Sequence, residues 1–488
     1  MSYKHGVYVS EQETSLTTPI EGTAGLQVII GTAPVNLAED PTTAMQPKLV
    51  YSFKEAVAAL GYSDNWEKYT LCQSMDACFR VFAIAPIILI NVLDPTKHTK
   101  TNEAKAVQIS NGAATYDVLD VLLSSVVVKS SDDATTYVKN TDYTLEFTTG
   151  GEVKITILPT GAAAEATAVK VSSTNIDSTK VTETDVIGGT DATTGKETGI
   201  EAVRLIYPMF AMTPGLLLAP GWSQKATVAA AMQAKTEGIN GVYSCECLID
   251  LDCSSSGCIR YSNLLAAKAA AGATNKHTAA LWPMLSIGEK HYRYSAVFGA
   301  LTAYTDANNS DVPNLSPSNR DTRTTSVILE DGTPVLLDQE QANFANGVGI
   351  ITALPVSGVI KAWGNNTAAY PTNTDPKDRW FATRRFFTWR GNAFILTYFQ
   401  KVDNPANTRL IENICDSENM DGNALRASGA CAGYRITFLA RENPITAMLD
   451  GTIKFHMYLA PYVPAENIEN VLEFDPTMLE EAMSGVAE

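Results

Sequence analysis

The chain has 488 residues, a formal net charge of −17 and 45% hydrophobic residues. One hydrophobic core does not serve a chain of that length, so two to four domains are expected, and the apolar content excludes a largely disordered protein. The acidic balance excludes affinity for nucleic acid built on a surplus of Lys and Arg, so no direct nucleic-acid partner is expected; it favours solubility before assembly instead.

In chain order, the first signal is HGVYVSEQETSLTTPIEGTAGLQVIIGTAP, His5 to Pro34. An extended run containing Val7, Tyr8 and Val9 precedes a Thr-rich link and a small apolar strand that closes on Gly-Thr-Ala-Pro. Residues 1–21 carry too little apolar surface for a core of their own and read as an arm. Phe53 to Leu60 reads as a helix stopped by Gly61. Val81 to Val92 is the longest apolar stretch; it contains Pro86 and is too short to span a membrane, so no stable membrane insertion is expected. No basic-then-apolar signal peptide starts at Met1, which predicts synthesis in the cytoplasm.

From Leu93 to Gly199 the composition changes: there is no Arg, Trp, Cys or Met, and threonine is over-used. Val126 to Lys129, Thr136 to Phe147 and Glu152 to Leu158 alternate between turn residues as small antiparallel strands do. The segment 93–199 is predicted to be an inserted β-rich domain with a solvent-facing surface.

Beyond it, strand and helix patterns alternate. Leu216 to Ala219 reads as a strand, Gln224 to Gly238 as a helix, Gly241 to Leu251 as a strand, Asn263 to Gly272 as a helix and His277 to Leu285 as a strand. This alternation predicts a mixed α/β layer, within an α+β or α/β multidomain chain. A further frame, LLDQEQANFANGVGIITALPVSGVIKAWGNNT, runs from Leu336 to Thr367.

The candidate chemistry is thin. A strand followed by Pro220, Gly221 and a helix offers a helix N-terminus to a phosphate, yet no three-glycine fingerprint and no Gly-Lys-Ser/Thr loop occurs, and the turn reads as an ordinary strand-to-helix connection. Cys245, Cys247, Cys253 and Cys258 have gaps unlike paired zinc knuckles and read as free thiols. His5, His98, His277, His291 and His456 show no paired spacing, and the HYRY run at His291 to Tyr294 reads as a strand edge. No catalytic constellation, metal site or cofactor site is expected.

Arg379, Arg384, Arg385 and Arg390 are interleaved with Trp380, Phe381, Phe386, Phe387 and Trp389, whereas Glu442 to Glu488 holds nine acidic residues and one lysine. A positive and a negative patch in one chain suit pairing between copies, so Arg379, Arg384, Arg385 and Arg390 are predicted to meet Glu466, Glu469, Glu473 and Asp475 at an interface. The last frame, NPITAMLDGTIKFHMYLAPYVPAENIENVLEFDP, covers Asn443 to Pro476. Thr452 to Leu459 alternates at the period of a strand, Pro461 and Pro464 end it, and a second extended run holds Ile468, Val471 and Phe474.

The three frames, at both ends and in the middle, in this order, resemble contractile phage tail sheath proteins over most of residues 1–92 and 200–476. The resemblance implies an N-terminal arm (1–21), a sheath core (22–92 and 200–375), an inserted outer domain (93–199), a C-terminal α/β inner domain (376–467) and a C-terminal arm (468–488). It implies a structural, non-enzymatic subunit that polymerises as a helical array around an inner tail tube, with baseplate and tail terminator proteins as further partners. In such an array Val7, Tyr8, Val9, Ile468, Val471 and Phe474 would be strand residues shared between copies. The alternative from a different class is an α/β enzyme or small-ligand-binding protein with a β-insertion, which requires a pocket with convergent polar groups.

Overall fold

The computed structural model describes residues 23–484; the expected arm with Val7, Tyr8 and Val9 lies outside them. The largest element is an eight-stranded sheet. Its strands are β1 (Gln27–Gly31), β2 (Lys48–Val50), β3 (Ile87–Asn91), β4 (Leu216–Leu218), β5 (Glu246–Asp250), β6 (Thr278–Leu281), β7 (Ile350–Val356) and β8 (Val359–Trp363), in the spatial order β8-β7-β6-β5-β4-β1-β3-β2. Six strands run parallel, and β2 and β8 close the two margins antiparallel. Every residue of β1, β3, β4, β5 and β6 is buried, which is why these runs read as continuous apolar stretches: helices cover the sheet and leave no polar face.

The helices are α1 (Ala226–Lys235), α2 (Leu264–Ala271) and α3 (Tyr294–Ala307) within the core, with α4 (Phe381–Tyr398) and α5 (Thr408–Ala427) beyond it. Helix Phe53–Leu60 begins at Ser52, whose hydroxyl accepts from Glu55 N, and ends at Gly61 as the sequence predicts. Helix α1 is shorter than Gln224 to Gly238, and β5 is shorter than Gly241 to Leu251. In the first case Lys225 is extended, at φ −85° and ψ 124°, so the helix starts only at Ala226; in the second, Ile239 and Tyr243 close a turn before the strand starts. His277 to Leu285 is two strands, β6 and Met284–Ile287, the latter pairing with Lys290–Tyr292 and Ser326–Ile328 in a small antiparallel sheet.

The inserted segment builds two three-stranded antiparallel sheets. Thr99–Gln108, Val127–Ser130 and Ala168–Ile176 form one; Ala113–Tyr116, Tyr143–Phe147 and Val153–Ile157 form the other. Tyr116, Val128, Val153, Ile155, Val169 and Val171 make a hydrophobic cluster separate from that of the main sheet. The expected run Thr136 to Phe147 is divided because the Asp142 carboxylate accepts from Val138 N and Ala162 N, both at 2.7 Å, and turns the chain before Tyr143. Ile176, Val181 and Val186 pack with the main cluster instead, so the tail of the 93–199 span belongs physically to the core layer.

Thr99 and Ile176 are register partners across the first sheet, so the chain enters and leaves the insertion about 5 Å apart. Replacing residues 100–175 by a two- to four-residue Gly-Ser bridge is therefore expected to leave a folded, soluble core. The Tyr69 hydroxyl would lose Asp120, 2.6 Å away, at a cost of about 1 kcal/mol. Circular dichroism and a cooperative melt check this; insoluble protein would mean that the core depends on the insertion.

Candidate assembly surfaces

In an open α/β sheet, ligands sit at the carboxyl ends of the strands where the strand order reverses. Here that point lies between β1 and β4, and the chain fills it with Thr70. The Thr70 amide donates to the Thr32 hydroxyl at 3.0 Å and its own hydroxyl accepts from Thr32 N at 3.2 Å, while Leu71 N donates to Thr32 O. A Cβ on Gly31 would overlap the Thr70 hydroxyl, and one on Gly221 would lie 2.8 Å from its methyl, so both glycines serve this close approach. Gly221 is thereby packed against Thr70, and both also border a cavity of about 840 Å³ lined by Trp66, Gln224, Lys290, Arg293 and Glu330. At the end of β5, Asp250 accepts from Ser295 N at 2.8 Å and holds the start of α3; burial pushes its carboxyl up against these hydrogen bonds.

Helix α4 carries the arginine-aromatic segment, and it lies across the amino ends of the strands. Thr388 donates to Glu246 at 2.6 Å and Asn392 brackets Ser244, accepting from its N–H and donating to its carbonyl. Arg385, 1% exposed, grips Asp306 of α3 through both terminal nitrogens and donates to Ala24 O at 3.1 Å. Burial holds the Asp306 carboxyl above its ordinary value, against the pull of Arg385. Arg390, also 1% exposed, meets Glu418 at 3.0 Å, Asp421 at 2.8 Å and the Tyr434 hydroxyl at 3.0 Å. Arg384 pairs with Asp378 at 3.0 Å, leaving 12% of its side chain exposed. The expected surface role of Arg384, Arg385 and Arg390 is therefore corrected: on a helix packed on both sides they turn inward, where partners inside the same chain neutralise them.

Helix α5 supplies those acids, with Glu418 and Asp421 three residues apart on one face. It packs on a strand pair, β9 (Cys431–Phe438) and β10 (Phe455–Pro461), antiparallel and without a third strand among the described residues. Strand β10 matches the alternation seen at Thr452 to Leu459, and Pro461 stands at its end. Gly422 lets helix and sheet close: a Cβ there would collide with the Tyr434 ring. No signal in the sequence marked Asp306, Glu418, Asp421 or Tyr434, because their partner is distant along the chain; the i, i+3 acids beside a glycine were the nearest hint.

After Pro461 the chain runs extended to a short helix, Pro476–Ser484. Ile468, Val471, Leu472 and Phe474 are 86, 71, 87 and 81% exposed. Among the described residues this segment and the β9-β10 pair lie unjoined: the run pairs with no strand, and neither edge of the pair takes a third strand. Of the predicted cation-acid set, the structure brings together Arg379 and Glu466, 3.3 Å apart; Glu469, Glu473 and Asp475 stand on the exposed run.

With that geometry in place, the chain's relatives become informative. It is 25% identical over 493 aligned positions to the tail sheath protein of Burkholderia phage BcepMu, covering 96% of each chain. Its fold is similar to the anti-feeding prophage helical sheath in the contracted state, with a TM-score of 0.56, 13% identity and 97% and 99% of the two chains covered. It is likewise similar to the sheath of the extracellular contractile injection system PVC in the contracted state, with a TM-score of 0.55, 15% identity and 98% and 99% covered. No family model matches the chain. The fold is that of contractile-sheath proteins, multidomain and mixed α/β. At the level of sequence, the chain is a homologue of a phage tail sheath protein.

Arg385→Leu should leave Asp306 buried without its counter-charge, a loss of about 3–5 kcal/mol. Its carboxyl would move further above the unfolded value, so the folded state would keep a proton that the unfolded state releases. The deficit against the parent should then grow as pH rises from about 4 to about 7. Denaturant unfolding across that range checks both size and sign, with Arg385→Lys expected to fall between the two.

Proposed function

We propose that the chain is the structural subunit of a contractile tail sheath. Copies polymerise as stacked rings around an inner tail tube and shorten to drive it through a target envelope. The observation that carries this reading is likeness to a tail sheath protein across 96% of both chains. The particle is a phage tail or a tail-like injection device, assembled from subunits made in the bacterial cytoplasm, with baseplate and terminator proteins at the two ends of the array. The role is structural, a reading that the likeness to a tail sheath protein over nearly the whole chain supports against an enzyme or ligand-binding protein.

Copies join by strand addition. An edge strand offers unpaired N–H and C=O groups, and an extended segment from a neighbour satisfies them while leaving the two bodies free to rotate. Ile468, Val471 and Phe474, and Val7, Tyr8 and Val9 from the other end, are the donor residues in this reading, and the β9-β10 pair is the acceptor. Charge supports the match. Glu469, Glu473 and Asp475 lie on the donor run, while Arg435 on β9 and Arg441 and Lys454 between the two strands are surface cations of the acceptor. The insertion faces outward through its two small sheets, residues 99–176, whose cluster is separate from that of the main sheet.

Purified chain should form long tubes or very large particles in negative stain, and a persistent small oligomer with a bound ligand would overturn the sheath reading. Deleting residues 1–20 and 468–488 together should give soluble, folded single copies and no tubes, by size-exclusion chromatography and microscopy. Normal tubes from that truncation would overturn the strand-sharing.

A further inference from the structure

The turn after β8, Gly364 to Thr367, does more than end a strand. Its backbone is laddered to the start of α4: Phe381 N donates to Asn365 O at 2.8 Å and Thr367 N to Arg379 O at 2.7 Å. Two donors are set on this rigid platform. Asn365 accepts from the Ser316 hydroxyl at 2.5 Å through Oδ1, which turns its Nδ2 outward. Arg379 donates through Nε to Asn366 Oδ1 at 2.9 Å, and its guanidinium lies 4.0 Å from the Trp380 ring centre and 4.4 Å from that of Tyr370. Both side chains thus have their orientation fixed before any third partner arrives, and what they meet is one carboxylate. Asn365 Nδ2 reaches Glu466 Oε1 at 3.1 Å and Arg379 Nη2 reaches Oε2 at 3.3 Å.

Glu466 stands five residues beyond the end of β10 and two before Ile468, at the root of the exposed run. From Glu466 to Asp475 an extended chain spans roughly 30 Å, enough to reach a neighbouring body. We propose that Asn365 and Arg379 form a carboxylate latch that grips Glu466, fixes the direction in which the C-terminal arm leaves its subunit, and opens to let the arm swing while its far end stays joined to a neighbour. The latch is a positioning device, and it deepens the strand-sharing reading on which it rests. The Glu466 side chain keeps 30% of its exposure, so the grip is reversible and weakened by salt. A single exposed pair changes an equilibrium by up to about fivefold, and repetition in every subunit of a ring multiplies that bias.

The test uses the full chain below its assembly concentration, spin-labelled at Asn470→Cys; the native thiols are buried or, at Cys415, half-buried. Glu466→Gln should raise the mobile fraction of the label by about two- to fivefold, and added salt should raise it in the parent towards the same level. Glu466→Arg should free the arm further, and joining it to Arg379→Glu should restore a good part of the order. Glu469→Gln, three residues along, should leave the label as in the parent. Because Glu466 lies on the exposed arm, its substitution leaves the folded core intact. Equal label mobility in the parent, Glu466→Gln and Glu466→Arg would overturn the latch, as would an equal effect from Glu469→Gln. Parent chains that never form tubes at higher concentration would count against the sheath reading alone, since the label still reports the arm root.

Discussion

Asp306 and Arg385 meet where three parts of the molecule converge, and the rest of the architecture is arranged around that contact. Asp306 ends the long core helix α3, Arg385 sits one turn into α4, and the same guanidinium holds the carbonyl of Ala24 just ahead of β1. A buried charge costs several kcal/mol unless it is paired and hydrogen-bonded. The pairing therefore does little for net stability and much for specificity. A shift of α4 along the sheet would strand two charges, so the helix has one allowed position. The same guanidinium also fixes the backbone at Ala24, just ahead of β1.

Five residues further along α4, Arg390 repeats the device toward the C-terminal unit, with Glu418, Asp421 and Tyr434 as its partners. The two arginines make α4 a rigid strut between the parallel sheet and the β9-β10 pair. A two-stranded pair is marginal alone, and this one is backed by α5 and by Phe386 and Trp389 of α4. Rigidity there has a mechanical sense. An edge that accepts a neighbour's strand transmits force only if it cannot yield relative to its own body. The chain beyond Pro461 is the opposite: it pairs with no strand among the described residues, and a partly exposed ion pair, Arg379 with Glu466, ties it to the body.

The central sheet follows a plan shared with many enzymes, and part of the crevice where its strand order reverses is taken up by the chain itself. Thr70 sits between Gly31 and Gly221 and exchanges hydrogen bonds with Thr32, satisfying backbone groups that a ligand would otherwise meet. The same substitution of protein for ligand recurs at Asp250. At the end of a central strand its carboxylate is spent on capping α3 through Ser295.

The sequence by itself determined the mixed α/β layer, the small antiparallel strands within residues 93–199 and the break after Pro461, because each is written in local pattern: alternating strand and helix signals for the layer, period-two alternation between turn residues for the small strands, and closely spaced prolines for the break. The resemblance to sheath proteins was legible in three frames for the same reason. Strand and helix ends were less so, as at Asp142, whose carboxylate turns the chain, and at Lys225, whose extended backbone delays the helix. Only the tertiary structure decided the arginines. Four cations among aromatics look like a surface patch until it is known that Asp306 lies 79 positions before Arg385, and Glu418 28 positions after Arg390. Whether a charge faces water or a partner depends on which distant segment folding brings beside it. Sequence spacing is silent on that, because the partners are joined by the packing of helices on a sheet and not by any repeat along the chain.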